Sequence, residues 1–252
     1  MRKFKPLTSA LAVVFSVVLT LSFARPALAV LEADLTNNLV AIKADFFGDS
    51  ITLFGTIPDE GDVIVVVRGP STDFKMHRKS NVGGIWINTS SMVFEDVPSF
   101  YAIASSAPLD DITNSAIRAL NGIGVDYIGL DLPSTKASGP VAEAWKQGLL
   151  RNLTDLETYQ LQHGKIRFLG DSLFRTEFSL PSNVPIGSYD VTIYHLQAGR
   201  VVDARTVPLS VAKVGLEAEI YDFAYNQSAY YGVVAVIIAL IAGWLGHIVF
   251  RR

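Results

Sequence analysis

Between Arg68 and Lys79 the chain gathers five groups that could hold an anion: Arg68, Lys75, His77, Arg78 and Lys79. An arginine fork matches the paired oxygens of an oxyanion such as sulfite, a sulfonate or phosphate. Gly83-Gly84 leaves room for close backbone approach. If residues 75–79 form a strand, Lys75, His77 and Lys79 point to one face while Met76 and Arg78 point to the other. Arg68 leaves a run of valines just before Gly69-Pro70, where a turn could set its guanidinium beside Arg78. Arg68, Arg78 and Lys79 are therefore the candidate anion-binding residues. The same groups also read as the solvated side of an edge strand, where lysine discourages pairing with another sheet. Ion pairs with the surplus acids are a third reading.

Other chemistries find no constellation. No G-x-S-x-G elbow occurs, so a hydrolase serine lacks its frame. The histidines at 77, 163, 195 and 247 form no H-x-H or H-E-x-x-H, so no metal site is expected. Asp59, Glu60 and Asp62 lack the spacing of a calcium loop and suit a turn. Asp110-Asp111 reads as a helix start rather than a carboxylate pair. No P-loop or dinucleotide fingerprint appears. Cysteine is absent, which excludes thiolate catalysis, CxxC redox chemistry and iron–sulfur ligation. The sequence predicts no enzyme, no cofactor and no metal.

The elements that would carry the basic cluster read as β. Ile51, Leu53, Gly55 and Ile57 alternate with Thr52, Phe54 and Thr56, the period of a half-buried strand, and Val40 to Phe46 alternates likewise. Val63 to Val67 is continuously apolar, as expected of a strand covered on both faces. Residues 75–79, 85–88 and 92–94 predict three more short strands. Phe174 to Leu180, the stretch GSYDVTIY and Val207 to Val211 predict the last ones, with a tight hairpin at Gln197 to Gly199. Two helical stretches intervene. One runs from Ile112 to Asn121 behind Asp110-Asp111, with Ile112, Ala116, Ile117 and Leu120 on one face and Gly122 as the stop. The other, from Ala142 to Leu156, repeats Trp145, Leu149 and Leu153 at helical spacing. The fold class is mainly β: an immunoglobulin-like β-sandwich, one or two, with a helical insert near 110–163. Leu216 to Asn226 reads as a further helix that leads into an apolar C-terminal stretch.

Both ends of the chain speak of a membrane. Residues 1–29 have a basic start, an apolar run from Leu7 to Phe23, Pro26 and then Ala27-Leu28-Ala29, the pattern of a secretory signal peptide. An uncleaved anchor is the other reading. Residues 229–250 are uncharged except for His247, enough to cross a bilayer once. Residues 30–229 hold 15 Lys and Arg against all 24 acids, a net charge of −9. Basic ends and an acidic middle predict a periplasmic domain (30–226) and a cytoplasmic stub at 251–252. That charge also argues against nucleic acid and against an anionic membrane surface as partners.

Longer motifs carry a resemblance: FGxIPDEGDVIVVVRGP, RKxxxxGIWIN, FEDVPSFYAIASSAPL, LPxNVPIGSYDVTIY and the terminal YYGxxAVIIALIAGW. In this order they resemble the alphaproteobacterial putative transmembrane protein family. The resemblance implies an exported domain with a C-terminal span in the bacterial inner membrane. Members similar to this are often encoded near a sulfite or sulfonate permease, an association that makes such a membrane permease the partner to expect. The expected function is a membrane-tethered interaction or accessory module of such a transporter, with a periplasmic anion-binding or sensing protein as the alternative.

Overall fold

Side chains that alternate along a strand can serve only one buried face, and that period organises the structure. The computed structural model describes residues 30–130, 139–160 and 164–250. In it β3 (Gly48–Thr56) buries Ile51 and Leu53 and turns Phe54 outward. With β1 (Glu32–Leu35), β9 (Arg167–Leu169) and β10 (Leu173–Pro181) it forms an antiparallel sheet in the order β1-β3-β10-β9. The second sheet has the order β2-β12-β11-β4-β7-β8. Its inner strands are β12 (Arg200–Lys213), β11 (Gly187–Gln197), β4 (Asp62–Arg68) and β7 (Tyr101–Ser105), antiparallel throughout. Short parallel strands, β2 (Leu39–Ile42) and β8 (Gly164–Lys165), close its two edges.

The sheets face each other across one core, with Leu53, Phe174 and Phe178 meeting Val65, Val191 and Val207. The chain is thus one sandwich, mainly β. Tyr189, at the start of β11, is fully buried and donates its hydroxyl to the carbonyl of Pro185. A tyrosine that bonds back to the chain just upstream is a corner device of immunoglobulin-like sandwiches. Tyr189→Phe should lower stability by about 1–2 kcal/mol in chemical denaturation, because the Pro185 carbonyl loses its partner. The β11–β12 turn also falls where expected. Ala198 and Gly199 both take positive φ, 47° and 77°, as a two-residue hairpin requires.

The apolar run of β4 is explained by a second core. Val63, Val65 and Val67 face the other sheet, while Ile64 and Val66 face a layer of helices. That layer contains α1 (Leu109–Ile112), α2 (Ser115–Asn121) and α3 (Pro140–Asp155). Trp145, Leu149 and Leu153 of α3 are buried at the expected spacing. The single helix expected from Ile112 to Asn121 is instead broken in two. Thr113 is extended, and the Asn114 side chain caps α2 by accepting from the Ile117 amide at 3.0 Å. Asp110 caps nothing and pairs with Arg118 at 2.8 Å. Because of the break Leu120 turns to solvent rather than to the core, at 85% exposure. Gly122 does stop α2, in the left-handed conformation.

A second correction concerns the opening stretch. The three short strands expected there are two long ones, β5 (Ser71–Val82) and β6 (Ile85–Pro98), paired only with each other. Thr89 to Ser91 falls between two of those short strands because it is polar. In a ribbon exposed on both faces, cross-strand pairing carries such residues without burial.

Beyond β12 the chain enters α4 (Leu216–Asn226) and α5 (Ser228–Phe250). They are separated at Gln227, whose φ of −129° is not helical. α5 has 23 residues, about 35 Å at 1.5 Å each, enough for the roughly 30 Å hydrocarbon layer. Exposed Tyr221 and Tyr225 stack at 6.0 Å just before it, and Tyr230 and Tyr231 follow. Such rings suit a membrane–water boundary. Residues 1–29, His163 and Arg251-Arg252 lie outside the described residues, so the signal peptide and the stub do too.

Candidate functional site

The candidate basic residues fall into two places. Arg68 ends β4 on the helical side of the sheet, and its Nη2 donates to the carbonyls of Asn121 at 2.7 Å and Gly122 at 2.9 Å. A helix C-terminus leaves carbonyls without partners and carries partial negative charge, so a guanidinium suits it. Tyr194 donates its hydroxyl to Asn121 as well. Tyr101 donates to the Gly122 carbonyl and accepts from the Gly124 amide at 2.7 Å. Arg68 therefore belongs to a lock on the end of α2.

Arg78 and Lys79 lie elsewhere, on the outer half of β5. Together with His77 they line a cleft of about 280 Å³ whose opposite wall is α3, at Trp145, Gly148 and Arg151. Arg68 does not line it. Register explains the placement. Phe74 and Met76 turn toward the second core, and the Met76 methyl lies against Gly148. Arg78 follows on the same face. The cleft thus unites Arg78 and Lys79 with a cation from another element.

Arg151 was missed by sequence reasoning. Trp145, Gly148 and Arg151 are three residues apart along one helix stripe, a legible signal. Nothing local, however, says that the stripe faces β5. The remaining histidines are dispersed: His195 is buried near Gly61, and His247 lies in α5. Among the described residues no three metal-binding side chains gather. Asp62 accepts from the Ser106 hydroxyl at 2.8 Å, and Ser106 Oγ in turn accepts from the Val63 amide. This acid fastens the start of β4 to the end of β7.

Farther along the ribbon is a feature of another kind. Val82, Ile85, Trp86 and Ile87 surround the Gly83-Gly84 turn and are 55%, 68%, 67% and 45% exposed. Both glycines take positive φ, which lets the chain reverse in two residues. Large apolar groups gathered in the open usually mark a contact surface.

The sequence profile of a family described as "Putative transmembrane protein (Alph_Pro_TM)" matches residues 30–252. The chain belongs to that family. Comparison with curated proteins finds no match, and comparison with solved structures finds none either. The match spans both the sandwich and the apolar helix, so this member of the family is a membrane protein with one C-terminal helix fit to cross.

The two roles assigned to the arginines are separable. Arg68→Met should cost about 1.5–3 kcal/mol, because two carbonyls lose a charged donor. Arg78→Ala should change stability by less than about 0.5 kcal/mol, as exposed substitutions usually do. Thermal unfolding of both full-length variants checks this.

Proposed function

We propose that this protein is a membrane-tethered interaction module, held by α5 and working through the β5–β6 ribbon on the exported side of the inner membrane. The exposed tip at Val82, Ile85, Trp86 and Ile87 carries the reading, because such a cluster has no role in the sandwich core. The acidic balance of residues 30–229 and the basic termini support a periplasmic body and a cytoplasmic end. An alkaline phosphatase fused after Val214 should then be active, and a green fluorescent protein after Arg252 should glow. The reverse pair of results would overturn the topology. A photo-reactive amino acid at Trp86 tests the module itself. It should give a defined adduct in native membranes, with an inner-membrane permease of sulfur oxyanions as the first protein to seek. A probe that yields no adduct to protein or lipid counts against the module.

The cleft favours a second reading, a sensor or binder of oxyanions. His77, Arg78, Lys79 and Arg151 line it from two elements. Calorimetry of the full chain with sulfite, a sulfonate and phosphate should show binding that Arg78→Ala with Arg151→Ala abolishes and Arg68→Met leaves intact. Heat unchanged by the double variant would remove this site.

A further inference from the structure

We infer that the tip of the β5–β6 ribbon docks on the bilayer itself, as a wedge into a surface of anionic lipid. The inference rests on the reading above that the ribbon is the working element, and it names what the ribbon meets.

Three observations select lipid over a protein groove. First, the tip is apolar on both faces. Val82 pairs with Ile85, Asn81 with Trp86 and Ser80 with Ile87. Alternation therefore puts Val82, Ile85 and Ile87 on one face and Trp86 on the other. A protein groove covers one face of a strand pair, whereas an inserted wedge is surrounded. Second, the charge behind the tip is of one sign. From Phe74 to Phe94 there is no acidic residue, while Lys75, His77, Arg78 and Lys79 stand along β5. The net charge of −9 over residues 30–229 opposes an anionic surface for the domain as a whole, but this acid-free stretch locally complements an anionic headgroup layer. The spacing also fits. Lys79 precedes Gly83 by four residues, about 13 Å at 3.3 Å each. With the turn sunk roughly 10 Å into the headgroup and acyl boundary, Arg78 and Lys79 reach headgroup level and the Trp86 ring sits in the interface.

Third, the ribbon is rooted beside the membrane tether. The ribbon leaves β4 after Arg68, which pairs with Asp190, near the start of β11. At that same end Gly187 pairs with Val211, from which β12 runs on to α4 and α5. The root of the ribbon and the tether therefore leave the six-stranded sheet at one end. Tethering keeps the ribbon's local concentration at the membrane high, so even a weak wedge is occupied.

The absence of cysteine makes a direct test clean. A spin label on Ile85→Cys, in the full chain in nanodiscs, reports collision with oxygen, which concentrates in lipid, and with a water-soluble nickel complex. In discs that contain phosphatidylglycerol, nickel access should fall several-fold and oxygen access should rise. In phosphatidylcholine discs the label should stay open to nickel. Arg78→Glu with Lys79→Glu should restore nickel access, and a label on exposed Leu120→Cys should not respond to composition. A label at Ile85 that is equally open in both discs overturns the inference, and one equally protected in both overturns the anionic selection. The Trp86 photo-probe then separates the two readings. An adduct to a protein, a second copy of this chain included, leaves the interaction module standing without the lipid. An adduct to neither protein nor lipid takes both down.

Discussion

Alkali should unfold the domain as the pH climbs past about 10. Burial pushes the Tyr101 hydroxyl up to about 12, against the opposing pull of the Gly124 amide and the Arg68 charge. Burial raises Tyr159 and Tyr189 further still. An unfolded tyrosine ionises near pH 10, so between pH 10 and 12 the folded chain keeps protons that the unfolded chain loses. Stability is therefore whole below pH 10 and falls as pH rises, by about 1.4 kcal/mol per unit for each sealed tyrosine. For Tyr101 alone the loss by pH 12 is about 3 kcal/mol. A domain with the usual 5–15 kcal/mol cannot absorb three such losses for long. Tyrosinate absorbance and circular dichroism, followed together, should show an ionisation step that coincides with unfolding. Tyr101→Phe should make the fall shallower. If Tyr101, Tyr159 and Tyr189 ionise near pH 10 in a chain that stays folded, they are not sealed in its cores.

The second large effect is expected at Phe174. Its ring lies in the middle of the sandwich core with no exposure, directly opposite Gly55 on β3. A side chain at Gly55 would meet the ring tip at 2.6 Å and the Glu32 carbonyl at 2.5 Å, so the aromatic ring occupies the space that the glycine leaves. Phe174→Ala should cost about 3–5 kcal/mol, the transfer of the ring plus the cavity it vacates. For a domain near 200 residues that lowers the melting temperature by about 2–4 °C per kcal/mol. Gly55→Ala should be damaging by itself and less so in the Phe174→Ala background, because part of the collision is with the ring. Additive costs in that double-mutant cycle would show that the backbone contact with Glu32 dominates.

The same two strands show how much was legible beforehand. Ile51, Leu53, Phe174 and Phe178 alternate so regularly that β3 and β10 follow from the period alone, and the unbroken valines of β4 announced a strand covered on both faces. Pairing partners were not legible. That β10 lies against β3 depends on more than a hundred intervening residues folding into the second core. In the ribbon the signal was absent for another reason. Its outer half buries nothing, so no hydrophobic period marks its length, and the polar stretch Thr89-Ser90-Ser91 reads as a break. The candidate site divided for a third reason. Arg68 and Arg78 are ten residues apart in sequence, but Arg68 belongs to the sheet and Arg78 to the ribbon, and long-range contacts decide what each meets. The carbonyls at the end of α2 claim Arg68, and α3 supplies Arg151 in its place.

The position of the tether on β12 has a mechanical consequence. β12 is 14 residues long, bonded along β11 on one side and, near its C-terminal end, in parallel to β2 on the other. Tension along the strand from the membrane helix arrives at Lys213. It would load these ladders in shear, many bonds at once, instead of peeling them one by one. Helical rotation, by contrast, is interrupted at Gln227, where the backbone leaves the helix between α4 and α5. Phe223 packs edge-on against Tyr231 at 6.1 Å across this joint, and the Gln227 amide still donates to the Phe223 carbonyl, so the joint is a braced corner that passes the load on to the strand.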